Sequence, residues 1–272
     1  MDYERPLAKC SEGVGFPTRP HMKRYALIGK ELSHSLSQQY FQQRHTDGSC
    51  TYELLSAHEQ ASRPEDFAAW LHLQLQSRHL VGFNVTTPFK QWSYALVGEA
   101  DSACQAIGAT NCVRVEWMSS THYRLIGTNT DAPAFAQCIT PHLTADLTEA
   151  LILGSGGAAQ AVAYALRQLG VSPFIVSRSP RSSAIDYAEA CRLSGCIRLI
   201  INATPVGMSP HVDQSPWPNP NLLTAAHICY DLIYNPSPTQ FLRQAAARGA
   251  TALDGLDMLR AQAELSYRFW GL

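Results

Sequence analysis

From Met22 onward, short apolar runs alternate with amphipathic stretches along the chain. Tyr25–Gly29 (YALIG) reads as a buried strand ending at a glycine, and Ser35 to about Arg44 as a helix with a serine-rich start. Thr51–Leu55 is a second strand. Pro64 to about Gln76 has helical spacing, with Phe67, Trp70, Leu71, Leu73 and Leu75 available for packing. HLVGFNVTTP (79–88) is a third strand that runs into a proline corner, followed by a helix from Gln91 to about Ala106. TNCVRV (110–115) is a further strand, with Tyr123–Ile126 as its hairpin partner. Strand and helix alternate through this half, which predicts an α/β layer.

A second pattern opens with a helix near residue 131 and the strand ALILG (150–154). Helices are expected at Ala158–Leu169, Ala184–Leu193, Thr239–Arg248 and from Gly255 onward. Strands are expected at Pro173–Ser177, Arg198–Ala203, Ile228–Leu232 and Thr251–Leu253. Short apolar strands separated by helices predict a parallel, doubly wound sheet. SPWPNPN (215–221) reads as a proline-rich surface loop. The fold class is therefore α/β, an N-terminal α/β domain followed by a doubly wound, Rossmann-like one.

Composition narrows the function classes. The 272 residues suit one large or two modest domains, and 46% hydrophobic with 16% charged residues is ordinary for a chain with a sizeable core. A formal net charge of -1 provides no basic field for nucleic acid or an anionic membrane. No apolar stretch approaches the ~18 residues of a membrane span. The eight cysteines form no C-x-x-C pair and no zinc spacing, so no metal site is expected. They read as scattered thiols of a cytoplasmic protein. Residues 1–21 are polar and turn-rich without an apolar signal core, and are expected to form a disordered extension.

The stretch LILGSGGAAQA (151–161) is strand, glycine turn and helix start. Gly154, Ser155, Gly156, Gly157 and Ala158 form G-x-G-G-A, a variant of the dinucleotide fingerprint. Its glycines let a phosphate approach the backbone, and the helix N-terminus offers it unpaired N–H groups. The bland alternative is a tight turn needed only for packing. The end of the next strand selects the cofactor. An NAD site places an acid there, whereas this chain reads IVSRSPR (175–181), with Ser177, Arg178, Ser179 and Arg181. Guanidinium groups match a 2′-phosphate, so NADP is the expected cofactor.

Three polar stretches fall at strand-to-helix junctions of the first half: SHSLS (33–37), NVTTPFK (84–90) and TNTD (128–131). Taken singly, each has an ordinary role. Lysines after turns are usually solvated, and serines or aspartates before helices are usually caps. Their order, however, carries a resemblance. HSxS, NVTxPFK, GAxN (108–111), NTD, GxGGA, SRxxR, NATPVGM (202–208), YDLIYNPxxTxFL (230–242) and GLxMLxxQA (255–263) follow one another along residues 22–272. This pattern resembles the shikimate dehydrogenase family.

The resemblance implies NADPH-dependent reversible reduction of 3-dehydroshikimate to shikimate, a step toward chorismate and the aromatic amino acids. It implies Lys90 and Asp131 as the catalytic pair. Ser35 and Ser37 would hold the substrate carboxylate, and Asn84, Thr86, Asn111, Tyr234 and Gln262 would complete the substrate site. NADP would lie on the glycine loop, on Ser177, Arg178, Ser179 and Arg181, and against Thr204, Leu232, Gly255 and Met258. Two roles fit Lys90, a proton carrier and a fixed cation beside the substrate oxygen. The resemblance also implies a substrate domain of residues 22–127 with 254–272, an NADP domain of 128–253, and a monomer or homodimer.

Some positions depart from the family pattern. Gln38 stands where proline usually follows HSxS, and Ala132, Pro133 and Ala134 follow NTD in place of glycine. The stretch from Arg178 to Asn202 is short, so one strand or helix of the nucleotide domain is expected to be trimmed. The family's extra C-terminal helix is expected to be missing after Trp270. Other readings are a catabolic quinate/shikimate dehydrogenase and a non-catalytic NADP-binding regulator on the same fold. A third, the tetrahydrofolate dehydrogenase/cyclohydrolase group, is disfavoured by the paired serines and NVTxPFK.

Overall fold

The structure, a computed structural model, describes residues 22–33, 35–57, 61–180 and 183–272. The expected extension (1–21) and Arg181 lie outside the described residues.

Two sheets organise the chain. The first has six strands: β1 (Lys23–Gly29), β2 (Cys50–Ser56), β3 (Leu80–Val85), β4 (Glu99–Ala100), β5 (Cys112–Trp117) and β6 (Tyr123–Thr128), in the order β2-β1-β3-β5-β6-β4. β1 pairs in parallel with β2 and β3, whereas β5 runs antiparallel to both β3 and β6. Helix α1 (Ser37–Arg44) connects β1 to β2, and α2 (Pro64–Arg78) connects β2 to β3. In α2, Phe67, Leu71 and Leu75 recur every fourth residue and are buried, while Leu73 falls on the opposite face and is 63% exposed.

The single helix expected over 91–106 is two, α3 (Lys90–Leu96) and α4 (Ser102–Ile107), separated by β4. Val97 is already extended, and Asp101 restarts the helix by accepting the Cys104 N–H at 2.7 Å.

The second sheet has five parallel strands, β7 (Glu149–Leu153), β8 (Ser172–Val176), β9 (Leu199–Asn202), β10 (Ile228–Asp231) and β11 (Thr251–Leu253), in the order β11-β10-β9-β7-β8. Side chains alternate between its faces. Ala150, Ile152, Leu199 and Ile201 pack with α5 (Asp131–Ile139) and α6 (Gly157–Gln168). Leu151, Leu153, Ile200 and Cys229 pack with α7 (Tyr187–Leu193) and α8 (Gln240–Ala247). A sheet covered on both faces is the doubly wound arrangement its unbroken apolar strands predict. Beyond β8 the chain makes one parallel bridge, Val176 to Ile185, in place of a further strand. Asp186 then caps α7, which starts three residues later than expected. SPWPNPN is not wholly a surface loop, because Trp217 is 1% exposed and fills the core on the α7–α8 face.

The last helix, α9 (Leu256–Trp270), leaves the second sheet and returns to the first. Met258 packs with α5 and α6, while Ala263, Tyr267 and Trp270 join Tyr25, Phe41, Tyr52 and Cys112. Trp270 stacks on Tyr25 at 4.7 Å between centroids and donates its indole N–H to the Val113 carbonyl at 2.9 Å. It lies over Gly82, where a β-carbon would come within 2.6 Å of the indole nitrogen.

Candidate active site

Lys90 owes its direction to the residue before it. Phe89 is 1% exposed and stacks on Phe67 at 4.6 Å, so the corner after β3 is anchored in the core. α3 begins at Lys90 itself, whose ammonium reaches back toward α5 rather than into solvent. Its Nζ donates to Asp131 Oδ2 at 2.6 Å, with the two side chains only 12% and 9% exposed. Asp131 is the first residue of α5, where a helix N-terminus favours a carboxylate.

The other Asp131 oxygen, Oδ1, accepts from the Asn111 amide at 2.8 Å. Asn111 also donates to Thr130 Oγ1 at 2.9 Å and accepts the Thr130 N–H at 2.7 Å, so its orientation is fixed. The amide of Asn84 turns inward. It donates to the Asn111 carbonyl at 3.1 Å and to Ser266 Oγ at 2.8 Å, and accepts from the Tyr52 hydroxyl at 2.9 Å. Asn84 thus braces Asn111 from inside the sheet. Asn129 braces the start of α5, accepting the Ala132 N–H and donating to the Ala109 carbonyl. Pro133 does no harm in the first turn, where its missing N–H would have had no intrahelical partner.

Ser35 and Ser37 sit at the start of α1, and Ser35 Oγ accepts the Ser37 N–H at 3.2 Å. Gln38 spends its side-chain amide on the Tyr52 carbonyl. Tyr234 arrives from the other half of the chain, on the loop after β10. Burial pushes its phenol up from its ordinary pKa, and the Ser35 hydroxyl and the Leu36 backbone pull it part of the way back. Gln262, on α9, is half-buried and donates to the Leu259 carbonyl. Thr86 follows β3, half-buried, on the same edge as Lys90.

The glycine loop leaves the C-terminal end of β7. There the chain goes first to β8 and then crosses back to β9, which makes the crevice beside β7 a topological switch point. Gly154 has φ +112, a conformation that favours glycine, and a β-carbon there would press within 3.0 Å of Thr204. Around Gly156 there is open space, with nothing within 4 Å of an added β-carbon. No side chain caps α6, so the N–H groups of Gly157 and Ala158 face this space without helical partners. An uncapped helix end beneath an open glycine cradle fits a pyrophosphate. Ser177, Arg178 and Ser179 follow β8 at the same end of the sheet, with Arg178 and Ser179 exposed.

Leu232 and Gly255 are in contact range, since a β-carbon at Gly255 would lie 2.1 Å from the Leu232 carbonyl oxygen. Met258 is 7% exposed and packs into the core beneath them. A separate cavity of about 540 Å³, lined by Cys138, Tyr230, Arg243, Asp254 and Asp257 among others, contains none of the expected site residues.

Sequence reasoning missed the supports. Ser266 lies one turn beyond Gln262 on the same helix face, and that spacing could have marked it. Asn129 stood inside TNTD with no role assigned. Tyr52 carried no local signal.

The family model for the shikimate dehydrogenase substrate binding domain matches residues 27–113. The chain is 36% identical over 218 residues to shikimate dehydrogenase (NADP(+)) of Salinibacter ruber, covering 72% of this chain and 75% of that one. It is 31% identical over 261 residues to the enzyme of the same name from Carboxydothermus hydrogenoformans, covering 90% of each. Among solved structures, shikimate 5-dehydrogenase of Thermus thermophilus in complex with NADP(H) and shikimate superposes with a TM-score of 0.75 at 32% identity, over 92% of this chain and 94% of that one. A substrate-domain match that ends just past Asn111, joined to relatives that extend through the glycine loop, places the chain in the shikimate dehydrogenase (NADP+) family.

Proposed function

We propose that the family's reaction, reversible reduction of 3-dehydroshikimate by NADPH, takes place in the cleft between Lys90 and the glycine loop. One observation carries this reading. A buried lysine–carboxylate pair, oriented by Asn111, lies directly beside a loop shaped for a pyrophosphate.

When bound, the nucleotide supplies the hydride. The chain's own residues handle the oxygen and its proton. Reduction of a ketone leaves negative charge on oxygen, and Lys90 places a cation where that charge develops. Its ammonium has three N–H bonds, of which one is given to Asp131, leaving donors for the substrate oxygen. Asp131 holds the ammonium in place through Oδ2, while Asn111 fixes Oδ1, so the pair is preorganised. In the oxidative direction the hydroxyl proton passes to this pair.

Ser35, Ser37 and Tyr234 bind the substrate carboxylate end, and Thr86 and Gln262 bind ring hydroxyls. Asn84 acts on the substrate through Asn111. Gly154 to Ala158 bind the pyrophosphate, and Ser177, Arg178, Ser179 and Arg181 bind the 2′-phosphate. Thr204, Leu232, Gly255 and Met258 shape the nicotinamide end. The return of α9 to the first sheet supports a substrate domain of residues 22–127 with 254–272 around an NADP domain of 128–253.

The test is NADP⁺ reduction followed by absorbance with shikimate as the other substrate, with quinate and NAD⁺ in parallel. Turnover confined to shikimate and NADP⁺ supports the reading. Turnover mainly with quinate and NAD⁺ would replace it with the catabolic activity. Tight NADPH binding without turnover would leave the glycine loop intact and remove the Lys90–Asp131 assignment.

A further inference from the structure

Asp231 ends β10 with a carboxylate that is 0% exposed, and the reaction has no direct use for it. A buried carboxylate is costly to keep, and an apolar side chain would pack there more cheaply. Its hydrogen bonds indicate what it does. Oδ1 accepts the Ile233 N–H at 3.0 Å and the Asn202 amide at 2.9 Å. Oδ2 accepts the Thr239 hydroxyl at 2.7 Å. Thr239, also 0% exposed, caps α8.

The loop from Leu232 to Pro238 is therefore tied down at both ends by one side chain, with Ile233 at its entry and Thr239 at its exit. Asn202 fastens that anchor to β9, and the same Asn202 holds Thr204 through its N–H at 2.9 Å and its hydroxyl at 2.7 Å. Tyr234 rides on this loop, half-buried, between the two ends that Asp231 holds.

We propose that Asp231 is a positioning residue, clamping both ends of the loop after β10 so that Tyr234 is held in place for the substrate. This rests on the reading that Tyr234 contacts the substrate. The clamp acts on a side chain some distance from the reacting carbon, so its loss shows first in shikimate binding. NADPH binding is spared, because Leu232 keeps its own N–H bond to the Asn202 carbonyl at 3.0 Å and Asn202 keeps a second anchor at the Val206 carbonyl.

The test is a double-mutant cycle on kcat/KM for shikimate, with Asp231→Ala, Tyr234→Phe and their combination. Asp231→Ala is expected to lower kcat/KM by ~10–100-fold, mainly through KM, because small misplacements of a binding group cost that much. NADPH affinity, read by fluorescence, stays at the wild-type value, which also certifies folding. Tyr234→Phe lowers kcat/KM by ~10-fold through its lost hydrogen bond. The double variant is no worse than Asp231→Ala alone, since both act through one side chain. Asp231→Asn rescues, because its carbonyl still accepts from Ile233 and Asn202 while the Thr239 hydroxyl turns to accept from its amide.

Additive losses in the cycle would overturn the proposal, as would a normal kcat/KM in Asp231→Ala beside an impaired Tyr234→Phe. A normal Tyr234→Phe would instead remove the substrate role of Tyr234, and the proposal with it. If Asp231→Ala does not fold, Thr239→Val removes the Oδ2 bond and takes its place in the cycle.

Discussion

Gly157 and Lys90 are in contact: a β-carbon on Gly157 would lie 3.3 Å from Lys90 Cβ and 3.5 Å from Cδ. Gly157 is the first residue of α6, beside the second sheet, and Lys90 the first residue of α3, beside the first. Any side chain at 157 presses on the stem of Lys90 and on Ala109, whose Cβ would lie 3.5 Å away.

Gly157→Ala therefore separates stability from activity. Alanine is favoured over glycine in a helix by ~1 kcal/mol, so thermal stability is expected to hold or rise. A contact of 3.3 Å forces Lys90 or the loop to give by a few tenths of an ångström, and kcat/KM is expected to fall ~10-fold, more for Gly157→Val. A wild-type kcat/KM in both variants would mean that this contact does not set the geometry of the reaction.

Lys90 itself offers a sharper division. Lys90→Ala is expected to lower kcat by roughly 10²–10⁴-fold, the usual worth of a positioned proton donor. Lys90→Arg keeps a cation that does not release its proton near neutral pH. Recovery of most of the activity in Lys90→Arg would make Lys90 a fixed charge. Loss equal to that of Lys90→Ala would make it the proton carrier.

How much of this was legible in the sequence depended on whether the information was local. The strands of both sheets are contiguous apolar runs, and the glycine loop is a contiguous motif, so both could be read directly. Lys90, Asp131 and Asn111 were named from short motifs, but their meeting required three strand ends to converge. The break between α3 and α4 was missed because Gly98 and Asp101 interrupt a stretch whose apolar spacing continues across them. The roles of Asn84, Ser266 and Asp231 were hidden for another reason. Each depends on hydrogen-bond partners distant in sequence, such as Asn84 with Ser266 and Asp231 with Asn202. Trp217 was masked by its flanking prolines, which mark a loop without saying whether the loop folds back into the core.

Arg178 should discriminate between nucleotides. It is exposed at the end of β8, with Ser177 and Ser179 beside it. Charge-assisted hydrogen bonds contribute ~1.5–3 kcal/mol, so Arg178→Ala is expected to raise the KM for NADP⁺ by ~10–100-fold. The KM for NAD⁺, which has no 2′-phosphate, should stay where it is. Equal effects on both cofactors in steady-state kinetics would place Arg178 outside the 2′-phosphate site.

Trp270 fastens the last helix to the first sheet. It is buried over Gly82, stacked on Tyr25 and hydrogen-bonded to Val113. Trp270→Ala is expected to cost ~3–5 kcal/mol in urea unfolding, the range for removing a large buried aromatic. Gly82→Ala attacks the same contact from the other side and is expected to cost ~1–3 kcal/mol by overpacking. A cost below ~1 kcal/mol for Trp270→Ala would show that α9 is held by its other contacts.

Asp231 also gives the fold a measurable dependence on pH. Burial pushes its carboxyl from 3.8 up to about 6, partly offset by the hydrogen bonds from Thr239, Ile233 and Asn202, while the nearby Asp254 pushes it further up. Between these two pKa values the folded protein holds a proton that the unfolded chain has released. Stability from this group is thus fully present below about pH 4 and is lost as pH rises through about 6. A shift of about two pH units corresponds to ~3 kcal/mol at 1.36 kcal/mol per unit. Other groups titrate over the same range, so the quantity to measure is the difference in unfolding free energy between wild type and Asp231→Asn. That difference should move against the wild type by up to ~3 kcal/mol from about pH 4 to about pH 7 and then level off. A flat difference across this range would mean that Asp231 titrates in the folded protein as it does in the unfolded chain, and that its burial is balanced by its three hydrogen-bond donors.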